Sequence, residues 1–180
     1  MDQGRVSVSY AKALFDWASK TARIDEVYQQ TGTLINLIED NADFYMLLHS
    51  PMISFTKKSE SISKVLGSCC PVLTKLVLLM VKNGKENLIR NTLLSFNLLY
   101  RKKNQITQTS VESAMPLSQE TKQQFIRFFE EKFGGSIEFK HSVNPSLIGG
   151  FLITIDDKLV DKSVKGEIET IHRKLVSIEK

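Results

Sequence analysis

Cysteine is almost missing from this 180-residue chain: there are two, and they are neighbours, Cys69 and Cys70. Adjacent residues are poorly placed to staple a fold, and a disulfide framework needs more cysteines at wider spacing. A reducing compartment is therefore expected. Long apolar runs are missing too. The most apolar stretch, Val72 to Val81, follows Pro71 and is broken by Lys75, well short of the roughly 20 residues that span a bilayer. Residues 1–9 carry neither an apolar signal core nor an Arg- and Ser-rich amphipathic leader. The formal charge of +4 is mild and does not by itself argue for nucleic acid, which requires Lys and Arg gathered on one surface. What is present is ordinary for a folded protein: 42% hydrophobic and 24% charged residues, enough chain for one domain or two small ones.

Side chains that carry chemistry are few and scattered. His49, His141 and His172 lie far apart, and none has Cys, His or Glu at a metal-ligand spacing. His141 falls on the apolar side of an alternating run and is expected to be a satisfied core or edge residue. No phosphate-cradling Gly-rich loop followed by Lys and Ser or Thr occurs, and Gly149-Gly150 precedes a strand where a dinucleotide fingerprint follows one. Glu130-Glu131 and Asp156-Asp157 are adjacent carboxylates of the kind that are solvated at helix ends and turns rather than set apart for acid–base work. We therefore expect no catalytic residue, no metal site and no cofactor. The chain is expected to be a non-catalytic adaptor that works through its surfaces.

Apolar periodicity places helices along the first hundred residues. Ala11, Leu14, Phe15, Ala18 and Ala22 fall at i, i+3, i+4, i+7 and i+11, one face of a helix. Val27, Leu34, Ile35 and Ile38 mark a second. Phe44, Leu47 and Leu48 mark a short third, ended before Pro51 because the residue preceding a proline avoids the α region. Ile62, Val65 and Leu66 mark a fourth, with Gly67 suited to a left-handed cap. Pro71 opens a fifth, where a missing N–H costs nothing, and Asn83-Gly84 closes it. Ile89, Leu93, Phe96 and Tyr100 carry a sixth, ending in Arg101-Lys102-Lys103, where cations complement the macrodipole. A six-helix bundle over residues 1–104 is the result.

After Asn104 the period changes. Gln105 to Ser113 is rich in Thr and other β-compatible residues, and Ser118 can cap a helix bearing Phe125, Ile126, Phe129 and Phe133 that Gly134-Gly135 stops. Ile137, Phe139, His141 and Val143 then alternate with polar residues, a strand with one buried face. Phe151 to Ile155, a turn at Asp156-Asp157 and a short Leu159-Val160 strand predict a hairpin. Ser163 can cap a last helix in which Val164, Ile168, Ile171, Leu175 and Ile178 repeat at 4-3-4-3 spacing. The expected class is thus α+β, with a small α/β domain and a short sheet over residues 105–180. Charge divides in the same sense: 14 basic against 9 acidic residues up to position 105, then 10 against 11.

Apolar surface is in surplus. Among positions 72–81 only Thr74 and Lys75 are polar, and a helix apolar all round is either central or covered by a second body. The first helix carries a second apolar row, Tyr10, Ala13 and Trp17, beside its core stripe. Two readings stay open: six packed helices bury both faces, or the two helices share a groove for a partner's amphipathic helix. The last helix offers the same choice between the sheet and a partner's coiled coil.

Several motifs together resemble one family. Ser9-Tyr10-Ala11-Lys12-Ala13-Leu14-Phe15 is similar to the opening helix of the delta subunit of bacterial F-type ATP synthase, whose mitochondrial counterpart is the oligomycin-sensitivity-conferring protein. Pro51, Ile53 and Lys57 resemble its Pro-x-Ile…Lys junction, and Val81-Lys82-Asn83-Gly84-Lys85 its Asn-Gly-Arg break. Val111 to Ser118 resembles the junction opening its second domain. The most specific match is Asn144-Pro145-Ser146-Leu147-Ile148-Gly149-Gly150-Phe151 with Asp157 to Gly166, which resembles Asp-Pro-x-Leu-Ile-Gly-Gly followed by Asp-Gly-Ser-Val-Lys-Gly. Asn144 stands for the usual Asp and Lys162 for the usual Gly, and both departures fall in expected turns.

The resemblance implies an N-terminal bundle on the crown of the catalytic hexamer, holding the N-terminal helix of an alpha subunit between its first and fifth helices. Tyr10, Ala13, Leu14, Trp17, Leu76, Leu79 and Met80 become the candidate contact residues. It implies a C-terminal unit that meets the C-terminal end of the b subunits, and so a stator, one monomer within a hetero-oligomeric complex, that keeps the hexamer from turning with the rotor while proton flow drives ATP synthesis. A peripheral location on the cytoplasmic face of a bacterial cell membrane follows, with no nucleic acid and no membrane span of its own. The competing reading is a helical RNA-binding transcription factor of the antitermination type, which leaves the signature-like second unit unexplained.

Overall fold

The computed structural model describes residues 3–168. Among the described residues are seven α-helices, a further helical segment at 164–168, one 3-10 turn and a four-stranded mixed sheet, an α+β fold. The chain divides into two compact units, Met1–Lys102 and Lys103–Lys180.

The first unit contains α1 (Gln3–Lys20), α2 (Ile24–Asp40), α3 (Ala42–His49), α4 (Phe55–Cys69), α5 (Pro71–Lys82), the 3-10 turn Glu86–Leu88, and α6 (Ile89–Asn104) up to the unit boundary. Their apolar stripes supply one core, with Leu34, Leu48, Ile62, Leu73, Met80, Leu93 and Phe96 among its buried side chains. Local signals set the breaks. Asn41 Oδ1 accepts from Phe44 N at 2.9 Å and starts α3, an N-cap satisfying an orphan donor. Pro71 is the first residue of α5, as its missing N–H predicts. Cys70 supplies no side-chain cap there; instead Gln30 Oε1, from α2, accepts from Val72 N at 3.2 Å. At the other end Lys85 N donates to Met80 O at 2.9 Å and Gly84 N to Val81 O at 3.0 Å, closing the carbonyl end of the helix.

Two expectations need correction here. Ala22 is not the end of the first helix's stripe: α1 stops at Lys20 and Ala22 sits exposed at φ +53°. Arg23 N donates to Ala18 O at 3.0 Å instead, turning the chain into α2. Gly67 is not a cap, because α4 continues to Cys69 and Cys70 N closes it on Leu66 O at 2.7 Å. At the junction after Pro51 the buried lysine is Lys58, next to the Lys57 of the motif. Lys57 is exposed, whereas Lys58 is 4% exposed and its Nζ donates to Leu48 O at 2.8 Å and Glu86 Oε1 at 3.2 Å. One buried ammonium thus ties the end of α3 and the 3-10 turn to α4.

The second unit runs β1 (Ile106–Ser113), α7 (Gln119–Phe133), β2 (Ser136–Val143), β3 (Gly150–Ile155), β4 (Lys158–Ser163), in sheet order β2-β1-β3-β4. β1 and β2 are parallel, with Thr109 opposite Phe139 and Val111 opposite His141, while β1–β3 and β3–β4 are antiparallel. A parallel pair needs a crossover, and α7 provides it. Its Phe125 ring packs on Phe139 and Phe151 at centroid distances of 6.2 and 5.3 Å, covering the face on which Thr109, Val111 and Ser113 are buried. Ser118 caps α7, its Oγ accepting from Thr121 N at 3.1 Å. The hairpin turns at Asp156, φ +49°, and its second strand is six residues long, beyond the expected Leu159-Val160 pair.

The structure gives the signature residues physical roles. Gly150 has φ +78°, and a Cβ there would lie 2.2 Å from Lys162 O, so β3 can begin against β4 only with glycine. Ser163 N donates to Asp161 Oδ1 at 2.8 Å, and Gly166 N to Ser163 Oγ at 3.0 Å. A Cβ on Gly166 would come within 2.6 Å of Asp161 Oδ2. The two departures are also accounted for. Asn144 Oδ1 still accepts from Ser146 N at 3.1 Å, and its amide Nδ2 donates to Glu112 Oε2 at 3.0 Å, a bond an aspartate cannot make. Lys162 lies inside β4 and is not among the positive-φ residues, so no glycine is needed there. Residues 164–168 are helical; Ile171, Leu175 and Ile178 of the apolar row expected for a last helix lie outside the described residues.

Candidate functional site

Among the described residues no group of three or more His, Cys, Asp or Glu is placed to hold a metal ion. His49 Nδ1 meets Tyr45 O at 2.8 Å and the ring stacks on Tyr45. His141 Nε2 lies 2.8 Å from Ser113 Oγ, but that hydroxyl donates to Met115 O at 2.6 Å. Its single proton is committed, so Ser113 Oγ accepts from the imidazole. A serine so bound is a structural bridge between β1 and the edge strand β2, not a nucleophile beside a base. His172 lies outside the described residues. Asp161 has its carboxyl held below the ordinary value by hydrogen bonds from the Ser163 side chain and backbone.

The feature that invites a ligand is apolar. On α1, Tyr10, Ala13, Leu14 and Trp17 recur at i, i+3, i+4 and i+7; on α5, Val72, Lys75, Leu76 and Leu79 recur at the same spacing. Both rows line one groove of about 650 Å³. Leu14 is nearly buried at 7% exposure and belongs to the floor, whereas Trp17 at 44% and Leu79 at 49% stand open to solvent. Asn83 Nδ2, at the end of α5, donates to Tyr10 Oη at 3.0 Å and bridges the helices at one end. Pro71 and Arg23 lie at the other.

The all-round apolar character of α5 therefore has two causes. Leu73, Val77, Met80 and Val81 are buried and face the core, while Val72, Leu76 and Leu79 face the groove. Of the seven residues expected from sequence, the structure brings together Tyr10, Ala13, Leu14, Trp17, Leu76 and Leu79. Met80 is not with them. It is 0% exposed, because one residue past Leu79 is a rotation of about 100° on a helix, and it lies three past Val77 on the core stripe. Sequence reasoning missed Val72 and Lys75, which share the row of Leu76 and Leu79 and were legible from spacing. Arg23 sits in the turn after α1, where no periodicity marks it.

Comparison with known proteins finds one family along nearly the whole chain. A family model described as ATP synthase delta (OSCP) subunit matches residues 6–175. The ATP synthase subunit delta of Bacillus velezensis is 28% identical over 97% of this chain and 97% of its own length. The sodium-ion-specific subunit delta of Propionigenium modestum is 25% identical over 96% of this chain and 99% of its own. Among solved structures, a chain of the Toxoplasma gondii mitochondrial ATP synthase hexamer covers 98% of this chain with a TM-score of 0.75 at 20% identity, a likeness of fold. No helix among the described residues is long and apolar enough to cross a membrane.

Proposed function

The chain belongs to the ATP synthase delta (OSCP) subunit family, and from that membership we propose that its α1–α5 groove holds the N-terminal helix of an alpha subunit. It is a peripheral-stalk component of F-type ATP synthase, a peripheral part of a membrane-bound complex. In this reading the first unit is the six-helix bundle seated on the catalytic hexamer. The second meets the C-terminal end of the b subunits. The chain enters the complex as one non-catalytic monomer, on the cytoplasmic face. Its work is mechanical: it resists the torque that would otherwise turn the hexamer with the rotor.

The observation that carries the reading is the open groove itself. Two helices line a groove of about 650 Å³ with rows at i, i+3, i+4 and i+7 that are apolar except for Lys75, the pattern by which a groove receives the apolar face of an amphipathic helix. The antitermination-factor alternative gains nothing, since the family match runs through both units. Titration calorimetry of the full chain with a peptide of the cognate alpha subunit's N-terminal segment tests it. Saturable heat at one peptide per chain is expected; no heat with the peptide, together with binding to RNA, would overturn it.

A further inference from the structure

Among the described residues Arg23 and Lys75 are the charged side chains lining the groove, and no Asp or Glu lines it. The two cations differ in what they already hold. Arg23 grips Glu26, with Nε to Oε2 at 2.7 Å and Nη2 to Oε1 at 3.0 Å. That carboxylate also accepts from Gln30 Nε2 at 2.9 Å, and Gln30 in turn caps Val72 N. Arg23 is thus part of a bracket that fixes the start of α5. Lys75 has no hydrogen bond or ion pair among the described residues and is exposed. It sits inside the apolar row, between Val72 and Leu79, one turn from the N-terminus of α5, whose dipole adds to the positive field. The opposite end of the groove is closed by a neutral pair, Asn83 and Tyr10.

We propose that Lys75 is a specificity-determining residue of the groove, pairing with a carboxylate that flanks the apolar stripe of the incoming helix and so fixing its direction. This rests on the reading of the groove as the seat of the alpha-subunit N-terminal helix. An apolar groove alone accepts an amphipathic helix in either direction, because dispersion and burial are non-directional. A single unpaired cation set off-centre, nearer the Pro71 end, breaks that symmetry: a helix laid the wrong way leaves Lys75 covered and unpaired, which is costly. The occupant therefore carries Asp or Glu beside its apolar row, at the end that lies over Pro71 and Lys75.

The test is calorimetry of the full chain with the cognate alpha-subunit N-terminal peptide at about 50 and about 500 mM salt, a range over which exposed charge pairs are progressively screened. Lys75→Met is expected to weaken binding roughly three- to tenfold at low salt and to flatten the salt dependence. Trp17→Ala should weaken binding yet keep it. Lys75→Glu should bind worse than Lys75→Met, and should regain affinity for a peptide whose acidic residues are replaced by Lys. Wild-type binding with Lys75→Met unchanged, or a cognate segment lacking any carboxylate beside its apolar stripe, overturns the inference and leaves the groove reading intact. No binding by the wild-type chain overturns the groove reading itself.

Discussion

Leu79 and Met80 are neighbours in sequence and opposites in the fold, so a charge at each position separates a binding surface from a core. Leu79 is 49% exposed on the groove side of α5. Leu79→Asp therefore costs the free protein little: about 0.5 kcal/mol of helix propensity, and up to about 1 kcal/mol because an anion near a helix C-terminus opposes the macrodipole. That is a shift of several degrees in the melting temperature. For the complex the cost is larger. Burying a leucine fully is worth about 1.5–3 kcal/mol, and half of that area is still available to a partner, so about 1 kcal/mol of apolar contact is lost. Covering a carboxylate with an apolar helix adds about 1–3 kcal/mol of unmet hydration. The new Asp also lies one turn from Lys75 and draws it away from any partner. A total near 3 kcal/mol is about a hundredfold in Kd. The assay is circular dichroism for the fold and calorimetry with the alpha-subunit peptide for the grip. Loss of helical signal in Leu79→Asp would refute the assignment of Leu79 to the surface. A folded variant that binds the peptide as well as wild type would refute the groove. Met80→Asp is the contrast, and should unfold the first unit outright because its site is 0% exposed.

Three further changes probe the framework. Lys58→Met leaves Glu86 and the Leu48 carbonyl without their buried donor and should cost about 3 kcal/mol in urea unfolding; a change under about 0.5 kcal/mol would show that the bracket is idle. Gly150→Ala places a Cβ 2.2 Å from Lys162 O and forces φ +78° on alanine, so the second unit should lose about 2 kcal/mol or more, read as loss of β signal at lower denaturant. Asp161 has its folded pKa depressed from 3.8 by the Ser163 hydrogen bonds. Its stabilisation is then present above the unfolded value and lost as pH falls through the folded one; Asp161→Asn should flatten that acid limb of the melting curve, and an unchanged limb would exclude the bond as its source.

Much of the fold is written locally. The stripes of Val27, Leu34, Ile35 and Ile38 or of Ile89, Leu93, Phe96 and Tyr100 are short-range patterns, and they are buried as the 3.6-residue period requires. Pro71, Ser118 and the Asp156-Asp157 turn act through their own backbone and neighbours, so their positions were legible too. The class of the fold follows from such patterns, and the family from the resemblance carried by Asn144 to Gly166. The sequence by itself also determined that α5 carries more apolar surface than one core contact needs.

What only the tertiary structure decided is which surface is which. A run such as Leu76, Val77, Leu78, Leu79, Met80 and Val81 has no polar residue to mark its faces, and only the position of the other helices assigns Met80 to the core and Leu79 to the groove. The parallel pairing of β1 with β2 depends on where α7 returns the chain, not on either strand's composition. Lys58 looks like Lys57 until Glu86 and the Leu48 carbonyl converge on it from distant positions. Lys75 gains its meaning the same way: it is an ordinary exposed lysine until the fold sets it among apolar side chains in a groove whose other cation, Arg23, already holds Glu26. Periodicity records how a residue relates to its own helix, whereas unpaired charge and open apolar surface are properties of what the rest of the chain leaves uncovered.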